Sequence, residues 1–261
     1  MTRETPHFVP PVSTPVRGLK VLTVNVHQGF AFLNRRFILP QLRDAVRAVS
    51  ADLVFLQEVH GAQDKHAQRF SNWPKAPQYE FLADTIWTDF AYGRNAVYPH
   101  GHHGNALLSK FPIVRQQNLD VSVGDAENRG LLHCVIQLPG KRELHAICVH
   151  LGLGESERSR QIGLLCDFVT GLPADAPVVV AGDFNDWRQR ASAVLSSKAA
   201  LVEVFEQTAG GAARTFPAVW PLLRLDRIYV RNLQAKTPEV LSKRPWSRLS
   251  DHVALAAEVT L

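Results

Sequence analysis

Acidic and amide residues stand where apolar segments of this sequence end. In residues 178–186, an apolar run of valines leads through Gly182 to Asp183 and Asn185. Residues two apart on a strand point to the same side, so the acid and the amide face one site. The carboxylate can hold a metal ion or a water molecule, and the amide can donate to a phosphate oxygen. This spacing indicates a catalytic or binding role rather than packing.

The same arrangement recurs elsewhere in the chain. Each residue alone has a structural explanation: Asn25 suits a turn, Glu58 a helix cap, His150 a buried core position and Asp226 a salt bridge. Buried polar groups without partners cost on the order of 2–7 kcal/mol each, so packing explains poorly why so many occur together. We therefore expect them to converge around an ion or a substrate. The residues in question are Asn25, Glu58, His150, Asp183, Asn185, Asp226, Asp251 and His252.

Strands and helices must bring these residues together. Apolar stripes of helical period predict helices at residues 39–49, 64–71, 155–170 and 187–197. Strands follow one another directly in the middle of the chain, and strand–helix–strand units flank them. This order predicts an α/β fold with two packed mixed β-sheets and helices outside. The predicted strands are residues 20–26, 53–57, 79–83, 105–109, 113–123, 130–138, 143–150, 177–181, 225–230, 237–241 and 252–259.

The composition is that of an ordinary globular protein. Of 261 residues, 46% are hydrophobic and 20% charged, and no apolar run approaches the roughly 20 residues of a transmembrane segment. We interpret residues 1–17, rich in Pro and Thr, as a disordered lead-in rather than a signal peptide, and residues 18–261 as a single domain. Three cysteines without CxxC spacing predict reduced thiols and a cytoplasmic protein. We expect a monomer.

The charge balance is mildly basic. A net charge of +5 and a pI near 9.3 favour polyanionic partners such as nucleic acid, anionic lipid or phosphate esters. A basic surface without any partner explains the same charge. The basic residues are scattered, and no tract rich in Lys or Arg resembles a nucleic-acid-binding arm. Charge alone leaves these alternatives open.

The polar motifs, in their order along residues 18–261, resemble the endonuclease/exonuclease/phosphatase superfamily. This superfamily includes deoxyribonuclease I, exonuclease III-type abasic-site endonucleases, neutral sphingomyelinases and inositol polyphosphate 5-phosphatases. The resemblance implies a deoxyribonuclease I-like catalytic domain, folded as a four-layer α/β sandwich, in a compact bacterial-type member. The motifs are Asn25, Gln57-Glu58, residues 104–109, His150, Gly182-Asp183-Phe184-Asn185, Leu225-Asp226-Arg227 and Ser250-Asp251-His252.

The resemblance also implies a metal ion and a base. Hard cations prefer oxygen ligands, so Glu58 would be the main carboxylate ligand of Mg²⁺ or Mn²⁺. Asn25 and Asp251 would complete or border that metal site. His252 would act as the general base or else contact the phosphate. Asp226 would orient His252 and stabilise its imidazolium.

Other residues would handle the phosphate and the water. Cleavage of a phosphodiester requires neutralised phosphoryl oxygens, an in-line water and a proton for the leaving oxygen. Asp183 would position the water, and Asn185 would hold the phosphate. His150 would bind the phosphate or serve as the general acid. Arg129 stands where deoxyribonuclease-like members place a phosphate-binding arginine, although a simple surface arginine explains it nearly as well.

Residues 87–105 carry aromatic, Arg and His side chains, and we interpret them as a loop. The loop could form a substrate wall with Arg94 and His103 near a phosphate, or it could be an ordinary surface loop. No carboxylate or cysteine at zinc spacing accompanies its histidines, which argues against structural zinc. Trp187 suits either the rim of the site or the core at a helix start. We find no evident apolar β-hairpin.

The expected activity follows from the full set of residues. We expect a divalent-metal-dependent phosphodiester hydrolase that acts on nucleic acid or a phospholipid-like substrate, with possible peripheral contact to an anionic membrane surface. His150 disfavours abasic-site repair, because abasic-site endonucleases have no histidine at this strand end. One alternative is a phosphomonoesterase acting on an inositol phosphate. Another is a catalytically inactive binding module, which the complete residue set disfavours.

Overall fold

Two six-stranded β-sheets carry the fold. The computed structural model describes residues 18–31 and 36–261. The first sheet has the spatial order β11 (Gln234–Leu241), β12 (Ala254–Thr260), β1 (Leu19–Asn25), β2 (Leu53–Gln63), β4 (Gly101–Ser109) and β3 (Asp89–Tyr98). The second has the order β5 (Ile113–Asp120), β6 (Gly130–Leu138), β7 (Arg142–His150), β8 (Val178–Asp183), β10 (Asp226–Arg231) and β9 (Val202–Glu203). Both sheets are mixed, because β1–β2 and β7–β8 are parallel and the other pairs are antiparallel.

Helices cover the outer faces of the sheets. Helix α1 buries Leu42 and Val46 on one face, has a proline in its first turn, and ends at Ser50 with a left-handed φ of 51°. The helices are α1 (Leu39–Val49), α2 (Asp64–Arg69), α3 (Gln78–Ala83), α4 (Glu155–Thr170), α5 (Ala191–Ala199) and α6 (Val204–Ala209).

Three apolar clusters separate four layers. The first cluster joins α1 and α3 to the outer face of the first sheet, as Leu42 and Leu82 pack with Val54. The second lies between the two sheets and includes Phe55 and Val179. The third joins α4 and α5 to the second sheet. The layers are therefore helix, sheet, sheet, helix, and the predicted four-layer α/β sandwich is confirmed.

Some predicted elements were wrong. Residues 79–83, predicted as a strand, form helix α3, which packs Leu82 and Ala83 against the first sheet. Residues 87–105, predicted as a loop, form most of the hairpin of β3 and β4, because β4 supplies hydrogen-bond partners along that whole segment. The helix predicted at 187–197 begins only at Ala191, whose N–H donates to the carboxylate of Asp186 at 2.8 Å.

The predicted lead-in, residues 1–17, lies outside the described residues, and a single domain over residues 18–261 stays a prediction. Within the described ranges, no helix combines the length and the apolar character needed to cross a membrane. The three cysteines are free and buried. Cys134 and Cys148 lie between the sheets, whereas Cys166 lies under the helices of the second sheet.

Candidate active site

The strand ends that carry the predicted polar residues meet at one edge of the sandwich. In the second sheet, Asp183 lies between two neighbours in register, His150 on β7 and Asp226 on β10. In the first sheet, Asn25 ends β1 beside β2. A register shift in β2 between Leu56 and Val59 surrounds Glu58, which has a φ of 58°. This bulge turns Glu58 out of the ladder, and its side chain lines the cavity formed at the sheet edge.

The cavity has a volume of about 460 Å³. Its polar side contains seven of the predicted site residues, and its other side is apolar. The polar residues from the prediction are Glu58, His103, Arg129, His150, Asp183, Asn185 and His252. Gln28 and Glu127 also line it and were not predicted from the sequence.

His252 is held between two carboxylates. Its Nδ1 lies 2.9 Å from Oδ2 of Asp226, and its Nε2 lies 3.8 Å from Oδ2 of Asp183. Burial opposes the charged imidazole, but the carboxylates of Asp226 and Asp183 outweigh it and raise the pKa of His252 to about 10. His252 is therefore an imidazolium at neutral pH. It suits contact with a phosphate, or proton donation, better than the predicted role of general base.

Asp183 is the acid that can accept a proton. It is buried, and burial raises the pKa of its carboxyl above the ordinary value. Its Oδ1 accepts a hydrogen bond of 2.9 Å from the N–H of Asn185. Asn185 has a left-handed φ of 49° and donates its Nδ2 to the carbonyl of Leu151 at 2.9 Å. The tight turn after β8 thus fixes both side chains at the cavity wall.

Asn25 links the carboxylates of the two sheets. Its Nδ2 donates to Oε1 of Glu58 at 3.0 Å and to Oδ2 of Asp183 at 3.2 Å. Asp251 does not line the cavity; its Oδ2 pairs with Nδ1 of His27 at 3.0 Å. Asp251 nevertheless lies close to the end of β1, since its neighbour Ser250 donates its hydroxyl to the carbonyl of Asn25 at 2.6 Å.

These residues fit a hard divalent cation. The carboxylates of Glu58 and Asp183 both accept a hydrogen bond from Nδ2 of Asn25, and Asp226 is the register partner of Asp183. Carboxylates gathered in this way repel one another, and an oxygen-rich set is what Mg²⁺ and Mn²⁺ prefer. The side-chain atoms of Asp183, Asp226 and His252 also lie within 4.8 Å of one another. That second group is a poorer metal site, because a protonated imidazole has no lone pair to offer a metal.

His150 is a neutral histidine. Its Nε2 lies 4.0 Å from Glu58 and 3.7 Å from Asp183. Burial, with the charges of Arg129 and nearby histidines, holds its pKa well below the ordinary value. A neutral imidazole can donate one hydrogen bond to a phosphate oxygen but is a poor source of protons. Of its two predicted roles, the geometry supports phosphate binding.

Arg129 belongs to a network of polar side chains that line or border the cavity. It forms an ion pair with Glu127, which also accepts a hydrogen bond of 2.6 Å from the hydroxyl of Tyr98. That hydroxyl lies 2.9 Å from Nε2 of His103. His103, Tyr98 and Arg129 outweigh burial and hold the pKa of Glu127 well below its usual range. Arg129 lines the cavity, and among the described residues its buried Nε has no hydrogen-bond partner.

The structure does not bring Arg94 to the cavity. Its side chain is exposed and does not line the cavity. Burial is the main cause that lowers the pKa of His102, and the charge of Arg94 lowers it further. By alternation alone Arg94 and Tyr98 would share a face of β3, but the pairing with β4 shifts register between Arg94 and Ala96, and Tyr98 reaches the site network while Arg94 does not. No pattern in the sequence indicates the pairing of Tyr98 with Glu127, because it depends on β3 and β4 of the first sheet packing against β6 of the second.

An apolar wall completes the cavity. Leu153 follows β7, Trp187 follows β8, and Phe216, Leu223 and Leu225 precede β10. Trp187 is half exposed and lies at the rim rather than in the core. From the sequence, Trp187 suited either the rim of the site or the core.

Comparisons with known proteins agree with this geometry. The model of the Endonuclease/Exonuclease/phosphatase family matches residues 22–252. The chain belongs to this family. The family match supports a metal-dependent hydrolase of phosphoric esters, broadly of the phosphodiesterase or nuclease type.

Curated relatives of this family member include YbhP of Escherichia coli, 57% identical over 253 residues, which are 96% of this chain and 100% of YbhP. A UPF0294 protein of Vibrio cholerae is 34% identical over 118 residues, 45% of this chain and 38% of that protein.

Solved structures show the same fold. A family member from Beutenbergia cavernae has a TM-score of 0.78 at 22% identity, covering 94% of this chain and 72% of that chain. TDP2 of D. rerio, solved with a single-strand DNA product, has a TM-score of 0.71 at 18% identity, covering 94% and 99%.

Proposed function

We propose that the protein hydrolyses a phosphodiester, with a water molecule attacking phosphorus in line with the leaving oxygen. The observation that supports this is that one cavity brings together carboxylates from both sheets and donors for a phosphate. Glu58 and Asp183 line it together with His252, His150 and Arg129. Glu58 would hold Mg²⁺ or Mn²⁺, with Asn25 and Asp251 beside it; the bound cation would neutralise phosphoryl charge.

The protein's own residues would divide the remaining work. Asp183, whose pKa burial raises, would hold the water and take its proton. Asn185, His150 and Arg129 would bind the phosphoryl oxygens. His252, kept charged by Asp226, would stabilise the transition state and give a proton to the leaving oxygen. The bond that breaks is the one between phosphorus and the leaving oxygen, and the new bond joins phosphorus to the water oxygen.

The charges favour a diester over a monoester. A phosphomonoester carries a second negative charge at neutral pH. The two cationic side chains of the cavity are each already paired, Arg129 with Glu127 and His252 with Asp226. Little positive charge is left for a dianion. The apolar wall also leaves room for an organic group on the far side of the phosphate.

A direct test compares bis-p-nitrophenyl phosphate with p-nitrophenyl phosphate, with Mg²⁺ or Mn²⁺ present. We expect turnover of the diester and at most slow turnover of the monoester. Glu58→Gln and His252→Gln should each lose diester turnover, and Glu58→Gln should also bind Mn²⁺ more weakly by calorimetry. Glu143→Gln is the matched control, because this acid lies at the opposite end of β7 from His150 and pairs with Arg115.

The result also separates the alternatives. Faster hydrolysis of the monoester would favour a phosphomonoesterase. Mn²⁺ binding without turnover of either ester would favour an inactive binding module. Equal diester turnover in the wild type and both site variants would refute the assignment to these residues.

A further inference from the structure

An exposed apolar surface surrounds the entrance of the cavity. We call it the apolar mouth and define it by Leu153, Trp187, Val219, Trp220, Leu222 and Leu223. Their exposed fractions are 74%, 49%, 66%, 75%, 55% and 40%. Leu153, Trp187 and Leu223 also line the cavity itself, so the apolar mouth is continuous with the candidate active site. Large apolar side chains grouped in this way on a surface mark a place of interaction.

A tight turn presents the outer part of the mouth. Phe216 and Leu223 form an antiparallel bridge, and the N–H of Leu222 donates to the carbonyl of Phe216 at 2.8 Å. The turn is tied to the site, because the N–H of Ala218 donates to the carbonyl of Asp251 at 2.7 Å. Trp220 at its tip is the most exposed of the large apolar residues of the described chain.

Positive charge accompanies the apolar residues. The guanidinium of Arg188 stacks on the ring of Trp187 at 4.6 Å. Arg190 and Arg214 are also exposed on the loops that carry the mouth. Glu155 is shared among Arg158, Arg188 and Arg190, so one carboxylate faces three guanidiniums. A surface with tryptophan, aliphatic side chains and arginine matches the boundary of an anionic lipid bilayer, where rings and aliphatic groups enter and arginines meet head groups.

We propose that the apolar mouth docks on an anionic lipid membrane and that the phosphodiester cleaved belongs to a lipid of that membrane. The second half of this inference rests on the function proposed above; the docking itself does not. Docking would place the cavity entrance at the depth of the lipid phosphates, with the acyl side against Leu153 and Leu223.

Nucleic acid is the less fitting occupant. Bases stack on aromatic rings and hydrogen-bond through their edges, and the backbone attracts basic side chains. The two tryptophans could stack with bases. However, Leu153, Val219 and Leu222 offer neither stacking nor hydrogen bonds, and they would remain exposed beside a charged backbone. A lipid surface buries all of them.

The experiment uses the full chain and vesicles of phosphatidylcholine with or without phosphatidylglycerol, in a co-sedimentation assay. Trp220→Ser/Leu222→Ser removes the outer mouth without touching the cavity lining. Phe90→Ser/Leu164→Ser is the matched control, since Phe90 and Leu164 are exposed at 41% and 45% on β3 and α4. We expect binding to vesicles with phosphatidylglycerol, weakened at least about tenfold in the mouth variant but not in the control. Turnover of bis-p-nitrophenyl phosphate should be the same in all three proteins.

The other outcomes are distinct. Equal vesicle binding by the wild type and the mouth variant would overturn the proposal. Absence of vesicle binding by the wild type would also overturn it. The mouth variant then tells what the surface binds instead: weakened binding of a single-stranded oligonucleotide would indicate nucleic acid, and conversion of a wild-type dimer to monomers would indicate a second copy of the chain. Vesicle binding by a wild type that hydrolyses no ester would support the docking and refute the proposed function instead.

Discussion

Replacing Asp226 by asparagine should release the proton that His252 holds. The pKa of His252 is raised from its ordinary 6.5 to about 10. One unit of pKa is about 1.4 kcal/mol, so the site favours the imidazolium by about 5 kcal/mol. Coulomb attraction falls with distance, and the relevant distances are 2.9 Å to Asp226 and 3.8 Å to Asp183.

These distances assign about half of the attraction to Asp226. Its neutralisation should therefore remove at least about 2–3 kcal/mol and lower the pKa of His252 to about 8 or below. If His252 acts as an imidazolium, turnover follows its charged fraction, so kcat for a diester should begin to fall above about pH 8 in Asp226→Asn and only above about pH 10 in the wild type. At pH 9.5 the variant should be at least about tenfold slower.

The pKa can be measured by NMR titration of the labelled imidazoles in the metal-free protein, with His252→Gln to assign the signal. Glu143→Gln serves as the control and should leave the titration unchanged. A pKa that moves by less than about half a unit in Asp226→Asn would refute the claim that Asp226 keeps His252 charged. A lowered pKa with kcat at pH 9.5 equal to that of the wild type would show that the charge is irrelevant to turnover.

Three further predictions concern the binding of phosphate, the fold and its response to pH. Arg129→Gln should raise KM for a diester more than it lowers kcat, since Arg129 is a cation that lines the cavity; steady-state kinetics check this, and an unchanged KM would contradict it. Gly182→Ala should destabilise the fold by several kcal/mol (about 3 or more), because Gly182 has a φ of 149° and an added Cβ would lie 2.0 Å from the carbonyl oxygen of Val149. Gly163→Ala, with nothing within 4 Å of its Cβ in helix α4, should instead gain about 0.5–1 kcal/mol, and urea denaturation compares the two; equal stabilities would refute the steric argument. Burial lowers the pKa of His133 from 6.5 to about 4, so protonation favours the unfolded chain, and stability should fall as pH drops from about 6.5 towards 4 by on the order of 1–2 kcal/mol. Urea denaturation at pH 7 and pH 5 should show a smaller difference for His133→Gln than for the wild type, and an equal difference would contradict this origin.

Local patterns predicted the parts of the fold that neighbouring residues determine. The valine run before Asp183 and the placing of acids at strand ends follow from side-chain period and burial, and they predicted the sheets and the polar edge. The segment at residues 79–83 is so short that its side-chain pattern fits the helical period as well as the strand period. Its burial against the first sheet, which decides for a helix, depends on residues far away in the chain.

The site was less predictable where strands from distant parts of the sequence meet. Glu127 and Tyr98 bind each other only because β3 and β4 lie beside the strand that follows Arg129. The charge of His252 was equally hidden, since it results from two carboxylates on β8 and β10. A histidine near acids can be predicted from a motif, but its protonation state requires distances.

The cysteines place a chemical reporter in two of the three apolar clusters. Cys134 and Cys148 lie between the sheets, and burial raises the pKa of each thiol to about 12. Cys166 lies in the other apolar layer, beneath α4 and α5. Alkylating reagents attack thiolates that solvent can reach, so modification must wait for the surrounding layer to open. The order in which the three sulfurs are alkylated would therefore show which region unfolds first, the layer between the sheets or the layer beneath α4 and α5.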